Sequence, residues 1–169
     1  MATDDDGTLF TCGDARVRLR RAAIDEILHL RHAELRAGLP IESASFDGDH
    51  DASTRHFGAF VVDAGGAGGR SGGAEAVVGC ASFMVRPYEG NPAYQLRGMA
   101  TRADLARRGI GGTLLRVAIT ELRARDGATL FWCNARVPAV PFYARMGWRV
   151  VSDVFDVPTA GPHRVTVYG

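Results

Sequence analysis

A chain of 169 residues with 46% hydrophobic and 23% charged positions has the composition of a soluble globular protein, and its length suits one domain with a proper core. The net charge of +1 gives no reason to expect nucleic acid or an anionic membrane as a partner. The basic residues are all arginine, so the Gly-Lys-Ser/Thr loop of the P-loop proteins is excluded, as is any internal lysine that could accept an acyl group.

Residues 1–14 read as a loose polar lead-in, flexible and separate from a single domain spanning 15–169. The opening MATDDDGTLF is acidic and lacks the basic and apolar regions of a signal peptide. Nowhere does an apolar run approach the roughly 18 residues of a membrane span, so the expected location is cytoplasmic. Ala15 to Leu19 alternates as a first strand. Ile24, Ile27, Leu28, Arg31 and Leu35 then mark one helical stripe, ended by Gly38 and Pro40.

Residues 41–55 are irregular and acidic. Asp47-Gly48-Asp49-His50-Asp51 has the D-x-D-x-D opening of a calcium loop, but Ala52 stands where glycine is required and Gly58 where glutamate is required. What remains is a solvated turn, or carboxylates that attract a cationic amine. Phe57–Val62 and Ala76–Val85 read as strands. Between them Ala64 to Gly73 carries six glycines in ten residues, a flexible hairpin loop that meets no helix start.

Tyr94–Thr101 has strand composition, and Ile110, Leu114, Leu115, Ala118, Ile119 and Leu122 form one face of a long helix. Gly109, Gly111 and Gly112 stand where that strand hands over to the helix. A helix start carries unpaired N–H groups and the positive end of the macrodipole, and glycine lets an anion approach the backbone. Arg107 and Arg108 add charge, so the stretch reads as a pyrophosphate cradle. It is not a dinucleotide fingerprint, because the third glycine of G-x-G-x-x-G is missing.

Leu130–Cys133 is a short apolar strand. The strand–helix–strand unit it completes implies a parallel pair with a right-handed crossover. Ala139–Met146 reads as a short helix, and Trp148–Val151 and Arg164–Tyr168 as closing strands. The expected fold is α/β (α+β): a mixed, mostly antiparallel sheet flanked by helices. Cys12, Cys80 and Cys133 contain no C-x-x-C pair, which argues against a disulfide framework and structural zinc. No metal is expected.

The central stretch resembles the acetyl-CoA signature of the GCN5-related N-acetyltransferases, the GNAT superfamily. Met99-Ala100-Thr101 matches the family's strand-end triplet, and Arg107-Arg108-Gly109-Ile110-Gly111-Gly112, followed by Thr113, matches its loop. One departure is that the family's first Arg/Gln falls on Ala106. A second stretch is similar to the family's Asn-x-x-Ala-x-x-Phe/Leu-Tyr-x-x-x-Gly-Phe signature, with Ala139, Phe142, Tyr143, Gly147 and Trp148 in place. Its Asn position falls on Arg136, with Asn134 two residues earlier, so either side chain is a CoA-binding candidate.

The resemblance implies the GNAT fold and direct transfer of an acetyl group from acetyl-CoA to a primary amine on a small molecule or peptide. By the same analogy the central strand splays from its neighbour, Met99 and Thr101 offer backbone contacts to CoA, and Tyr143 is the general acid. A strand N–H could face the oxyanion. Gln95 falls where some members carry a glutamate base, and a neutral amide cannot take the amine's proton. His163, His56 and Glu75 are the alternatives, with His163 favoured by the Gly161-Pro162-His163 ending and by histidine's ordinary pKa near 6.5. A non-catalytic acyl-CoA-binding regulatory module is the competing reading. A homodimer is a family expectation.

Overall fold

The computed structural model describes residues 7–62 and 75–169, so the glycine tract within 64–73 lies outside the described residues. In chain order the elements are β1 (Thr8–Cys12), β2 (Ala15–Arg21), α1 (Ile24–Leu35), β3 (Arg55–Val62), β4 (Ala76–Val85), β5 (Tyr94–Thr101) and α2 (Ile110–Asp126). They continue with β6 (Phe131–Arg136), α3 (Val140–Arg145), β7 (Arg149–Val150), β8 (Phe155–Val157) and β9 (Gly161–Tyr168). Together they make a mixed, mostly antiparallel sheet with three α-helices among the described residues, as the sequence leads one to expect.

Two compact units share the chain. One holds the described residues of Met1–Ser82 together with Gly98–Thr120, the other Phe83–Arg97 and Glu121–Gly169, so β4, β5 and α2 each contribute to both. In the first unit the strand order is β1-β2-β3-β4-β5. Its core sets Ile27 and Leu30 of α1 beside Cys80 and Ala100, with Ala22, Ile24, Leu35 and Val77 packed around them. Ile110 and Leu114 of α2 are buried over Gly79, where a Cβ would lie 3.3 Å from Ile110 and 3.1 Å from Ala59. Glycine there lets the helix start sit close to the sheet.

In the second unit the order is β4-β5-β6-β9-β7, with β8 on the flank of β9. β5 and β6 are parallel, as the strand–helix–strand pattern requires. Phe131 is the packing centre, against Phe83 edge-on at 6.1 Å, Tyr94 at 6.3 Å and Tyr168 at 6.4 Å. Such aromatic pairs add to ordinary apolar burial.

Three details differ from the sequence reading. Residues 8–12 are not a loose lead-in: β1 pairs in register with β2, from Thr8 opposite Leu19 to Cys12 opposite Ala15. Gly13, at φ 60, turns the hairpin. The strand faces solvent over most of its length, so it has no buried stripe to betray it; the ladder holds it. β8 is too short to show a period. The closing strand begins at Gly161 rather than Arg164, because β8 extends its pairing partner.

Candidate active site

In the first unit, the start of α2 has the geometry an anion needs. The 17-residue helix begins at Ile110, and Thr113 N–H is the first to reach back, donating to Gly109 O at 3.0 Å. The N–H groups before it have no helical acceptor. Gly109 sits at φ 87 and a Cβ built there meets nothing within 4 Å, so its face is open. Arg107 adopts φ 62, a left-handed turn that a side chain rarely accepts. Arg107, Arg108 and Gly109 are exposed, Gly111, Gly112 and Thr113 half-buried, and Ile110 buried. The Thr113 hydroxyl also donates to Gly109 O, at 3.0 Å, and the Cys12 thiol reaches Arg108 O at 3.5 Å. The loop is thus anchored by β1, the strand that sequence reading missed. Open glycine, fixed backbone and helix start together fit a pyrophosphate.

The strand leading to that loop ends in Met99, Ala100 and Thr101, of which only Ala100 is buried. The parallel ladder between β5 and β6 stops at Gln95 opposite Trp132, although β5 runs to Thr101 and β6 to Arg136.

In the second unit, register sorts the candidate side chains onto two faces, since directly paired residues share one. Phe131, Cys133 and Ala135 look one way, with Tyr168, Thr166 and Arg164. Gln95, Trp132, Asn134 and Arg136 look the other, with Val165 and His163. Tyr143 belongs to the first face, where its hydroxyl hydrogen-bonds the Cys133 thiol and that sulfur meets Thr166 Oγ1 at 3.1 Å. Burial, then the neighbouring Cys133 sulfur, pushes the Tyr143 phenol well above its ordinary value. Cys133 is itself pushed up to about 12 by burial. Both groups keep their protons at neutral pH.

Local sequence explains why Tyr143 is fixed. Pro141 sits in the first turn of α3, and Gly147 at φ 85 ends it in a left-handed cap. Trp148 N–H donates to Tyr143 O and Gly147 N–H to Ala144 O, both at 3.0 Å. Trp148 then stacks on Tyr168 at 5.8 Å and tilts against Tyr143 at 5.3 Å.

On the opposite face, His163 stands across from Arg136 and Phe155, its ring 6.2 Å from the Phe155 ring. Its Nδ1 lies 2.7 Å from Gly161 O. A carbonyl can only accept, so Nδ1 carries the hydrogen and Nε2 of the neutral ring keeps its lone pair. The other base candidates are occupied. His56 Nε2 donates to Asp49 O at 2.8 Å and its Nδ1 meets Ser82 Oγ at 2.6 Å. Glu75 is held by Arg18 at 3.1 Å and Arg20 at 3.4 Å. Gln95 is buried, and its Oε1 has no hydrogen-bond partner.

The sequence model of the Acetyltransferase (GNAT) family matches residues 24–148, most of the chain. This chain belongs to the GNAT family. It is 29% identical over 152 residues to YitI of Bacillus subtilis, an uncharacterized N-acetyltransferase, covering 88% of this chain and 93% of that protein. Among solved structures, the NatC complex bound to Gag peptide and CoA superposes with a TM-score of 0.66 at 16% identity, over 89% of this chain and 96% of that one. FeeM, an N-acyl amino acid synthase from uncultured soil microbes, gives 0.65 at 12% identity, over 90% of each chain.

For a GNAT chain, one expectation must be corrected. Asp49 does not reach outward to attract an amine. Its carboxylate is buried and takes Arg31 Nη1 at 2.6 Å and Phe46 N–H at 2.7 Å. A charge in the middle of an apolar helix stripe requires a buried partner, and Arg31 on the α1 stripe was the signal that could have located it.

Proposed function

We propose that this chain transfers an acetyl group from acetyl-CoA directly to a primary amine of a small molecule or peptide. The observation that carries this reading is the open, glycine-lined start of α2, behind a strand whose ladder to β6 stops short. Residues 15–169 act as a single GNAT domain in this account. Arg107, Arg108, Gly109, Ile110, Gly111, Gly112 and Thr113 hold the pyrophosphate. The backbone of Met99, Ala100 and Thr101 pairs with the pantetheine arm. Asn134, exposed, and Arg136, half-buried, are further contacts to CoA.

When bound, acetyl-CoA supplies the acyl group as a reactive thioester. His163 Nε2 receives a proton from the amine, directly or through one water, and a backbone N–H of the central strand supports the developing oxyanion. Tyr143, held protonated and already hydrogen-bonded to one sulfur, donates to the departing one. Support for both acceptor classes comes from the neighbours, one bound to a peptide and one an N-acyl amino acid synthase.

The test is a panel of amino acids, peptides, polyamines and aminoglycosides, with acetyl-CoA and thiol release as the readout. Release that depends on a particular amine, with acetylated product by mass spectrometry, is the expected result. Tight acetyl-CoA binding with no amine-dependent release would convert the reading to a binding module.

A further inference from the structure

Arg31 is wholly buried in the first unit and sits in a closed ring of hydrogen bonds. Its Nη1 donates to Asp49 Oδ2 at 2.6 Å and Ala44 O at 3.0 Å, and its Nη2 to Ser82 Oγ at 2.5 Å. The Ser82 hydroxyl in turn donates to His56 Nδ1, and His56 Nε2–H returns to Asp49 O. Phe46 covers the guanidinium, 4.6 Å from ring centroid to Cζ. Buried ion pairs contribute little net stability compared with apolar packing, whereas they hold geometry well. Besides its share in stability, the ring holds the guanidinium in one orientation.

The fourth side of Arg31 shows what is held. Nε has no acceptor, and it faces Gly98 so closely that a Cβ there would lie 2.5 Å from Nε and 3.0 Å from both Cζ and Phe46 Cε2. Gly98 lies inside β5 at φ 59, a left-handed residue within a strand. Such a residue kinks the strand and turns its peptide groups out of the ladder. On the other side the Cys80 thiol donates to Gly98 O at 3.3 Å. The kink is gripped between a rigid guanidinium and a buried thiol, immediately ahead of Met99, Ala100 and Thr101.

We infer that Arg31 is a positioning residue for acyl transfer. Through Gly98 it fixes the direction of the residue 98–101 backbone, and thereby the N–H groups that meet the thioester carbonyl. This rests on the acetyl-CoA reading given above. Asp49, Ser82 and His56 serve by keeping the planar fork of Arg31 in one orientation, which a lysine cannot reproduce.

Calorimetric titration with CoA and with acetyl-CoA isolates the acetyl group, because the two differ only in the acetyl group that replaces the thiol hydrogen. The variants are Arg31→Lys and Arg31→Met/Asp49→Asn, the second chosen because it leaves no unpaired buried charge if the first fails to fold. The inference expects the acetyl-CoA constant to weaken about three- to tenfold relative to CoA, the worth of one hydrogen bond. CoA affinity itself should stay within about twofold, since residues 107–113 are untouched. A merely structural role would lower the melting temperature and leave the ratio of the two constants unmoved, which overturns the inference while the acetyl-CoA reading stands. Wild-type protein that binds neither molecule overturns both.

Discussion

His56 and His163 are buried to a similar degree, 8% and 6% exposed, yet they are opposite in kind. His56 spends both ring nitrogens inside its own unit, on Asp49 O and Ser82, and burial holds it below its ordinary pKa. His163 spends one, on Gly161 O, and stands on a sheet face with Arg136 and Phe155. Burial therefore does not separate a structural histidine from a candidate base. The number of nitrogens already satisfied does.

His163→Ala puts that contrast to its strongest test. Steady-state kinetics on the amine found by the panel should show kcat down by about 10²–10⁴-fold with acetyl-CoA affinity unchanged. An equal loss in His56→Gln, at temperatures where it is folded, would erase the distinction. Tyr143→Phe comes next, with kcat lower by about 10²-fold. Because burial holds the Tyr143 proton above the ordinary phenol range, the rate profile should have no alkaline limb from this residue below about pH 10.

His56 itself governs stability. Its folded pKa is depressed, so the unfolded chain binds the proton more readily and stability rises with pH between the two values. The groups around it are Asp49, Arg31, His50 and Ser82. Melting temperature should accordingly fall as pH drops below about 6.5. His56→Gln should flatten that slope and cost about 1–3 kcal/mol by denaturant unfolding, because a buried Ser82 or Asp49 group loses its partner. The smallest effect is expected at Asp51, exposed on the same acidic turn. Asp51→Asn should leave both stability, within about 0.5 kcal/mol, and the amine's KM unchanged; a raised KM would restore an amine-attracting role to that turn.

The elements with a period are legible in the sequence. α1, β3, β4, β5 and α2 each bury a continuous stripe or run, and the parallel β5–β6 pair follows from the crossover between them. The glycine loop was legible for a different reason: its chemistry lies in the backbone, and glycine is the residue that exposes backbone. β1 and β8 were not, because one is mostly exposed and the other has three residues; only pairing with the strand that follows creates them. The acid–base side chains were visible as residue types but not as an arrangement. Which face a side chain takes depends on register, as with His163 opposite Arg136. The Arg31 ring joins residues from α1, the acidic turn, β3 and β4, separations over which sequence carries no periodic signal.

The account stands on acetyl-CoA binding at the start of α2. Thermal unfolding with and without saturating acetyl-CoA, with Gly111→Asp in parallel, tests it most directly. A ligand that binds only the folded chain at about 100 times its Kd adds about 2.7 kcal/mol, so the wild-type melting temperature should rise by a few degrees and the variant's should not move. No rise in the wild type, or an equal rise in the variant, would contradict the account.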